Sequence, residues 1–441
     1  MNGVHKNMFH ADVTVFRFPP RRACAAAFLM LAGLLFSPQP TSALSFADAR
    51  HLAVRTGFGA APDHEVRVLM PLSFEAAVDH LLKLTRTTAT TPPPTWTGTA
   101  PPSPKLRKSW DRQTRKSFRK QQNRRGRDLK AWWLQEMIST PSAFTERMVV
   151  FWHNHFTSSL RKVKWPDYLY SQNTVLRRHA FGNFRTMLKA MATDPAMLIY
   201  LDGRKNKAGR PNENFARELL ELFTMGEGQG YTEHDIREAA RAFTGWRIDR
   251  KNSRAVFRPK HHDGGAKTVL GQHGHLNGDA VIDIILARPE VAERITRKLW
   301  RVFVSEQPHP PTVQRLAKIF RNSGYEVRPL VKGLLMSAAF RDSGNRAALI
   351  KSPLDLIVGT VRLTGVPAPA ERMTKFTKAM GQDVFNPPNV KGWPGGRAWV
   401  TTASLPARQR FLKRAERGWG QGPAIPNATA RLLRSPAYHV K

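Results

Sequence analysis

Apolar residues recur along most of this chain at the three- and four-residue spacing of amphipathic helices. Phe74, Ala77, Val78, Leu81 and Leu82 mark one such face, and Leu129, Trp132, Trp133 and Met137 another. From Met148 to Trp152 the run is continuously apolar, which predicts a helix buried nearly all round. Further helices are predicted over 168–179, 184–191, 281–286, 291–304, 313–320, 327–340 and 353–363. Asp194–Pro195 is a start signal, and Gly324 and Gly365 are stops. The expected fold is mainly α: a multi-helix globular domain with long irregular loops and at most a small β-hairpin.

The densest set of polar groups on patterned helices lies between Pro195 and Trp246. Asn212 is suited to cap a helix, with Glu213 at its positive end. Phe215, Ala216, Leu219, Leu220, Leu222 and Phe223 give the apolar arc, and Gly226 supplies the stop. Thr232 followed by Asp235 opens the next helix with a capping box. Glu213, Arg217 and Glu221 fall at i, i+4 and i+8, with Asn214 and Glu218 alongside. The commoner meaning of such spacing is a solvated ion-pair ladder. The sharper one is a set of acid/base groups or ligands, Glu213, Asn214 and Glu218, facing a cleft closed by the loop from Asp202 to Pro211.

His153 and His155 end the apolar helix. Residues two apart point about 200° apart, so both cannot chelate one metal while helical. Buried histidines bonded to backbone carbonyls are the commoner case, although two imidazoles in such a place need partners. His261, His262, Asp263, His273 and His275 cluster in a glycine-rich stretch, 261–278. No spacing there matches a known zinc pattern, so a divalent metal is the minority reading, and an anion held by Lys267 and glycine N–H groups is comparable. Trp393 or Trp399, in a last Pro/Gly-rich loop, suits either sugar stacking or, more commonly, pinning the loop to the core.

Charge changes the picture. Seventy Lys+Arg stand against 33 Asp+Glu, a formal +37, which attracts polyanions. Residues 85–104 are Thr/Pro-rich and predicted to be a mobile loop. Residues 105–130 carry twelve basic groups opposed by Asp111 and Asp128 alone, the pattern of a solvated helix or, less commonly, an anion-docking patch. At the N-terminus Arg17, Arg21 and Arg22 precede an apolar run from Ala23 to Phe36, then Pro38, Pro40 and small residues, the three-part pattern of a signal peptide. The expectation is export to the periplasm or beyond, by a Sec signal or, less well matched, a twin-arginine one, with no transmembrane anchor left after cleavage. The single cysteine, Cys24, falls inside that segment, so the remainder is expected to hold neither disulfides nor thiolate metal sites. Export also demotes nucleic acid as partner. The expected organisation is a signal peptide (1–45), N-terminal helices (46–84), a Pro/Thr-rich then basic flexible insertion (85–128), a central core carrying the candidate site (129–246), a His/Gly loop or hairpin (247–278), C-terminal helices with the Trp/Pro/Gly loop (279–414), and a tail (415–441).

Seven segments carry a resemblance: RTGFGA (55–60), ERMVVFWHNHFTSS (146–159), DPAMLIYLD (194–202), PNENFARELLELFTMG (211–226), YTEHDIREAARAFTGW (231–246), HDGGAK (262–267) and GQDVFNPPNVKGWPGG (381–396). In that order they resemble the bacterial domain of unknown function eighteen-hundred family, over about 46–414. The resemblance implies an exported helical protein, often encoded beside a sulfatase/phosphatase-like one. It carries over no catalytic residue, but moves weight to His153, His155, Asp202, Glu213, Asn214, Glu218, His262 and Asp263.

Two functions compete. One is a cell-envelope or extracellular hydrolase with Glu213 or Glu218 as base and a histidine as acid or ligand. The other is a non-catalytic protein that docks an exported partner or an anionic glycan through its basic surface. Asp202, Asn214, His262, Asp263, Lys267 and Trp393 are the candidate binding residues.

Overall fold

The computed structural model describes residues 43–420 and 425–441. The expected signal segment lies outside these as far as residue 42. The described residues form one compact unit with 21 α-helices, and β structure among them is confined to two antiparallel hairpins, Trp246–Asp249 with Arg254–Phe257 and Lys267–Val269 with Gln272–Gly274. The fold is mainly α, as the periodicity predicts. No helix among the described residues is long and apolar enough to cross a membrane.

Many helix ends follow the local chemistry closely. The Asp194 side chain accepts from Met197 N–H with Pro195 in the first turn. Thr232 and Asp235 form the reciprocal capping box of the Glu233–Ala242 helix, and Gly365 ends the Pro353–Thr364 helix in the left-handed conformation. The helix predicted over 327–340 is instead two, Val327–Leu335 and Ala338–Arg341, because the Ser337 side chain caps the second by accepting from Phe340 N–H.

The basic segment is helical and mostly exposed, as its charge pattern predicts. Arg112–Ser139 is one unbroken helix, capped by Asp111, so the expected boundary at 128 falls in its middle. Its apolar half buries Leu129, Trp132, Trp133 and Met137. Its cationic half is tied down by aromatic contact: Phe118 lies 4.8 Å from Trp110 and 5.8 Å from Trp165 between ring centroids. The Thr/Pro-rich stretch before it is anchored rather than free. Buried Glu136 accepts from Thr90 N–H (3.0 Å) and Thr91 N–H (2.6 Å), Trp132 Nε1 donates to Thr91 O (3.2 Å), and Gly98 N–H donates to Asp167 (2.7 Å). A polar composition reads as loop from sequence, but a carboxylate on a neighbouring helix can satisfy its backbone donors and hold it in place.

The central helix is also altered. Asn214–Glu218 is α-helical, and Leu219–Thr224 is π-helical, a widened turn found often beside functional sites. Asn212 accepts from Asn214 N–H at 3.2 Å, one residue earlier than a regular cap.

Replacing Glu136 by Ala is expected to release residues 85–104: limited proteolysis should cut there at least several-fold faster than in the parent, while the helical circular dichroism is retained.

Candidate functional site

A cavity of about 670 Å³ opens between the Ala143–His155 helix, the Pro289–Phe303 helix, the start of the Pro353–Thr364 helix and the turn around Gly395. Arg147, Val150, Phe151 and Asn154 line it at i, i+3, i+4 and i+7, one face of a helix. Lys298, Arg301 and Val302 line it from the opposite helix at the same spacing. Three of the resembling segments, 55–60, 146–159 and 381–396, meet at or behind this wall.

Asn154 fixes the lid of the cavity. Its Oδ1 accepts from Trp393 N–H (2.7 Å) and its Nδ2 donates to Trp393 O (3.2 Å). The approach is so close that a Cβ on Gly392 would stand 2.3 Å from Asn154 Oδ1, and Gly392 has φ +81°, so glycine is required there twice over.

Beneath the floor sits a buried ion cluster. Asp355 pairs with Arg147 and, at 2.9 Å, with Lys441 Nζ, and Arg147 Nε donates to Gly57 O at 2.8 Å. The two cations beside it hold the Asp355 carboxyl well below the usual carboxylate range, against the opposing effect of burial.

Lys298 has different surroundings. It is largely buried but keeps part of its side chain open to the cavity. No carboxylate pairs with it among the described residues. Burial, helped by Arg294 and Arg301, lowers its pKa to about 7. Its Nζ lies 2.9 Å from His155 Nδ1, and His155 Nε2 lies 3.0 Å from Phe223 O. A carbonyl only accepts, so Nε2 carries the imidazole proton and Nδ1 accepts from Lys298. Burial, chiefly, and then Lys298 and Arg294 push His155 well below its ordinary pKa, which keeps the ring neutral.

The acidic helix therefore reaches the site through its backbone. Its carboxylates do not. Glu213 pairs with Arg217 (3.2 Å), which also binds Glu221 (3.4 Å) and Glu233 (2.7 Å): this is the solvated ladder. Glu218 is partly buried, its pKa raised by burial and by Glu221, and it lines no wall of the cavity. Among the described residues no hydrogen bond or ion pair joins Glu213 or Glu218 to a histidine.

The remaining candidates are dispersed. His153 is buried against Trp133, Phe385 and Trp393 with Nε2 unpartnered, and burial lowers its pKa to about 3. Asp202 pairs with Lys162 and Lys205, both at 3.0 Å, and Asn214 is exposed. His262 Nδ1 meets Thr244 O at 3.1 Å, Asp263 holds Arg241 through two contacts (2.8 and 3.1 Å), and Lys267 Nζ donates to Asp263 O (2.6 Å) and Gly265 O (2.7 Å). Lys267 thereby closes its own loop, with the Asp263 carboxylate 3.9 Å from its ammonium. No three His, Cys, Asp or Glu residues gather in a metal-holding group among the described residues. Trp393 lines the cavity but is only 5% exposed, its ring packed on His153, which pins the loop to the core.

Sequence reasoning missed Arg147, Asn154, Lys298, Arg301 and Asp355. The 147/150/151/154 spacing was visible, and Ser352–Asp355 reads as a capping box, but neither says what lies opposite.

Two substitutions probe the ion groups. Asp355 has a folded pKa below its unfolded one, so the stability it contributes is present above about pH 4 and lost as pH falls toward the folded value. Asp355→Asn should cost about 3–5 kcal/mol in denaturant melts at pH 7, because Arg147 and Lys441 are left buried without a partner, and the difference should shrink on acidification. Lys298 has the opposite sign. Its depressed pKa means that the folded state is penalised below about pH 7, with the penalty relieved between 7 and 10.5. Lys298→Met should therefore stabilise by about 1–4 kcal/mol at pH 6, and by less at pH 9.

Comparison with curated proteins found no match, and comparison with solved structures found none either. The family model described as "Protein of unknown function (DUF1800)" matches residues 51–437, nearly the whole of the described chain, and the protein belongs to that family.

Proposed function

We propose that the protein holds an acidic ligand in the cavity above Lys298, a carboxylate-, sulfate- or phosphate-bearing unit of an anionic glycan at the cell envelope. One observation carries this: the cavity wall is cationic without being neutralised. Lys298, Arg301 and Arg397 line it with no ion-pair partner among the described residues, and Lys391 has only an exposed one, Glu227 at 3.3 Å. Arg147 and Lys441 are already matched by Asp355, which leaves Glu306 as the unmatched acid. In a cleft with protein walls, cations attract an anion more strongly than on an open surface. The envelope location rests on the N-terminal sequence pattern.

A second reading, docking of a polyanion or of a co-exported partner, is favoured by a separate groove. Arg107, Arg115 and Arg119 flank Trp110, Phe118 and Trp165 along the basic helix, a groove with no acidic residue in its lining. The hydrolytic reading is weaker. It falls to Glu218 alone, whose raised pKa suits a proton donor but which has no imidazole beside it.

Isothermal titration with a uronic-acid or sulfated disaccharide at pH 7 and low salt tests the first reading. Binding is expected for the acidic sugars and not for maltose, with a tenfold or greater loss in the Arg301→Gln/Arg397→Gln variant. Equal affinity in parent and variant, or binding of maltose alike, would overturn it.

A further inference from the structure

We propose that Lys298 is a reacting amine, which condenses with the carbonyl group of an acidic aldehyde or ketone, such as a 2-oxo acid or the open-chain end of a uronic acid. The inference rests on the anionic-ligand reading above and assigns that same cavity a chemical step.

Geometry comes first. The amine lines a cavity of about 670 Å³, room enough for a small acidic carbonyl compound with water to spare. His155 Nδ1, 2.9 Å away, takes one N–H, because the other ring nitrogen is committed to Phe223 O. A neutral amine so held keeps its lone pair and a second N–H for the cavity. His155 is thus a positioning residue, and its own low basicity keeps it from removing the proton that it orients.

Burial and the two arginines on its own helix favour the neutral form of the amine. Arg294 and Arg301 lie on its own helix. His155 meets the amine directly, and around the cavity stand Arg147 on the same helix as His155, Lys391 and Arg397 on the Trp393 loop, Glu306 on the connection after the helix of Lys298, and the matched Asp355–Lys441 pair. Glu306 is the one unmatched acid of this set. A buried lysine flanked by cations loses its proton easily, which is how an amine becomes a nucleophile near neutral pH. The rim arginines would meanwhile hold the acid group of the same compound.

The step balances without a further reagent. The Nζ lone pair forms a bond to the carbonyl carbon and the C=O π pair moves to oxygen. The two N–H hydrogens leave with that oxygen as one water, and a C=N bond remains. Nothing is oxidised or reduced.

Reductive trapping tests this. The purified protein is incubated with glyoxylate and sodium cyanoborohydride, then measured by intact mass and peptide mapping. One addition at Lys298 is expected, half-maximal near pH 7, at least tenfold faster than with neutral acetaldehyde. Lys298→Arg should lose the addition while keeping its melting temperature within a few degrees. Addition spread over surface lysines, or unchanged in Lys298→Arg, would overturn the inference. If acidic disaccharides still bind by titration but no adduct forms at Lys298, the reacting amine is excluded and the anion-binding reading stands. If neither occurs, both fall.

Discussion

Asp355 is the tie on which the site's architecture depends. It closes the capping box of its own helix with Ser352, receives Arg147 from the Ala143–His155 helix, and receives Lys441 from the far end of the chain. Arg147 in turn binds the carbonyl of Gly57, where the first helix of the described chain ends. A Cβ on Gly59 would stand 3.0 Å from Asp355 Cβ, so the glycines of RTGFGA let that turn close over the pair. Four distant parts of the sequence are thus joined at one carboxylate. Buried ion pairs are poor sources of net stability but strong specifiers of arrangement, since removing one partner leaves a charge that nothing else can accept.

A second constraint explains why a lysine is tolerated without a carboxylate. The widened turn over Leu219–Thr224 ends with carbonyls that its own helix does not use, and Leu222 O and Phe223 O are taken by Arg294 (3.4 Å) and His155 (3.0 Å). The partial negative charge of that helix end lies close to the cationic helix. Lys298 therefore meets a neutral acceptor, His155 Nδ1, that is itself anchored to the helix end. A full negative charge at the same place would hold the lysine protonated. A carbonyl relayed through an imidazole does not.

Much of the fold was legible because it is local. Helix faces, the Asp194–Pro195 start, the Thr232–Asp235 box and the Gly365 stop all follow from residues within a turn of one another. The Glu213–Arg217–Glu221 ladder was legible for the same reason. The site was not, because its parts are brought together by tertiary packing. Asn154 lies between two histidines that drew attention by residue type, yet it is Asn154 that meets Trp393, 239 positions away. Lys298 sits in RKLWR, a run that looks like any cationic helix face until His155 is placed beside it. The anchored 85–104 stretch was hidden likewise, since composition reports what a loop lacks and not which buried carboxylate waits for its backbone.

The excess of positive charge then has two distinct roles in one molecule. Along the Arg112–Ser139 helix it is spread over an exposed, aromatic-lined groove, where salt screens it. Around Lys298 it is gathered beside a buried amine, and there the same sign of charge acts on protonation instead. Repulsion among Arg294, Lys298 and Arg301 would weaken a helix that had no other support. Here the helix buries Val291, Ile295, Leu299, Trp300 and Phe303 on its opposite side, and that packing offsets the crowding of cations. A side that one glutamate could have relieved is left cationic, and the helix is held by its apolar face instead.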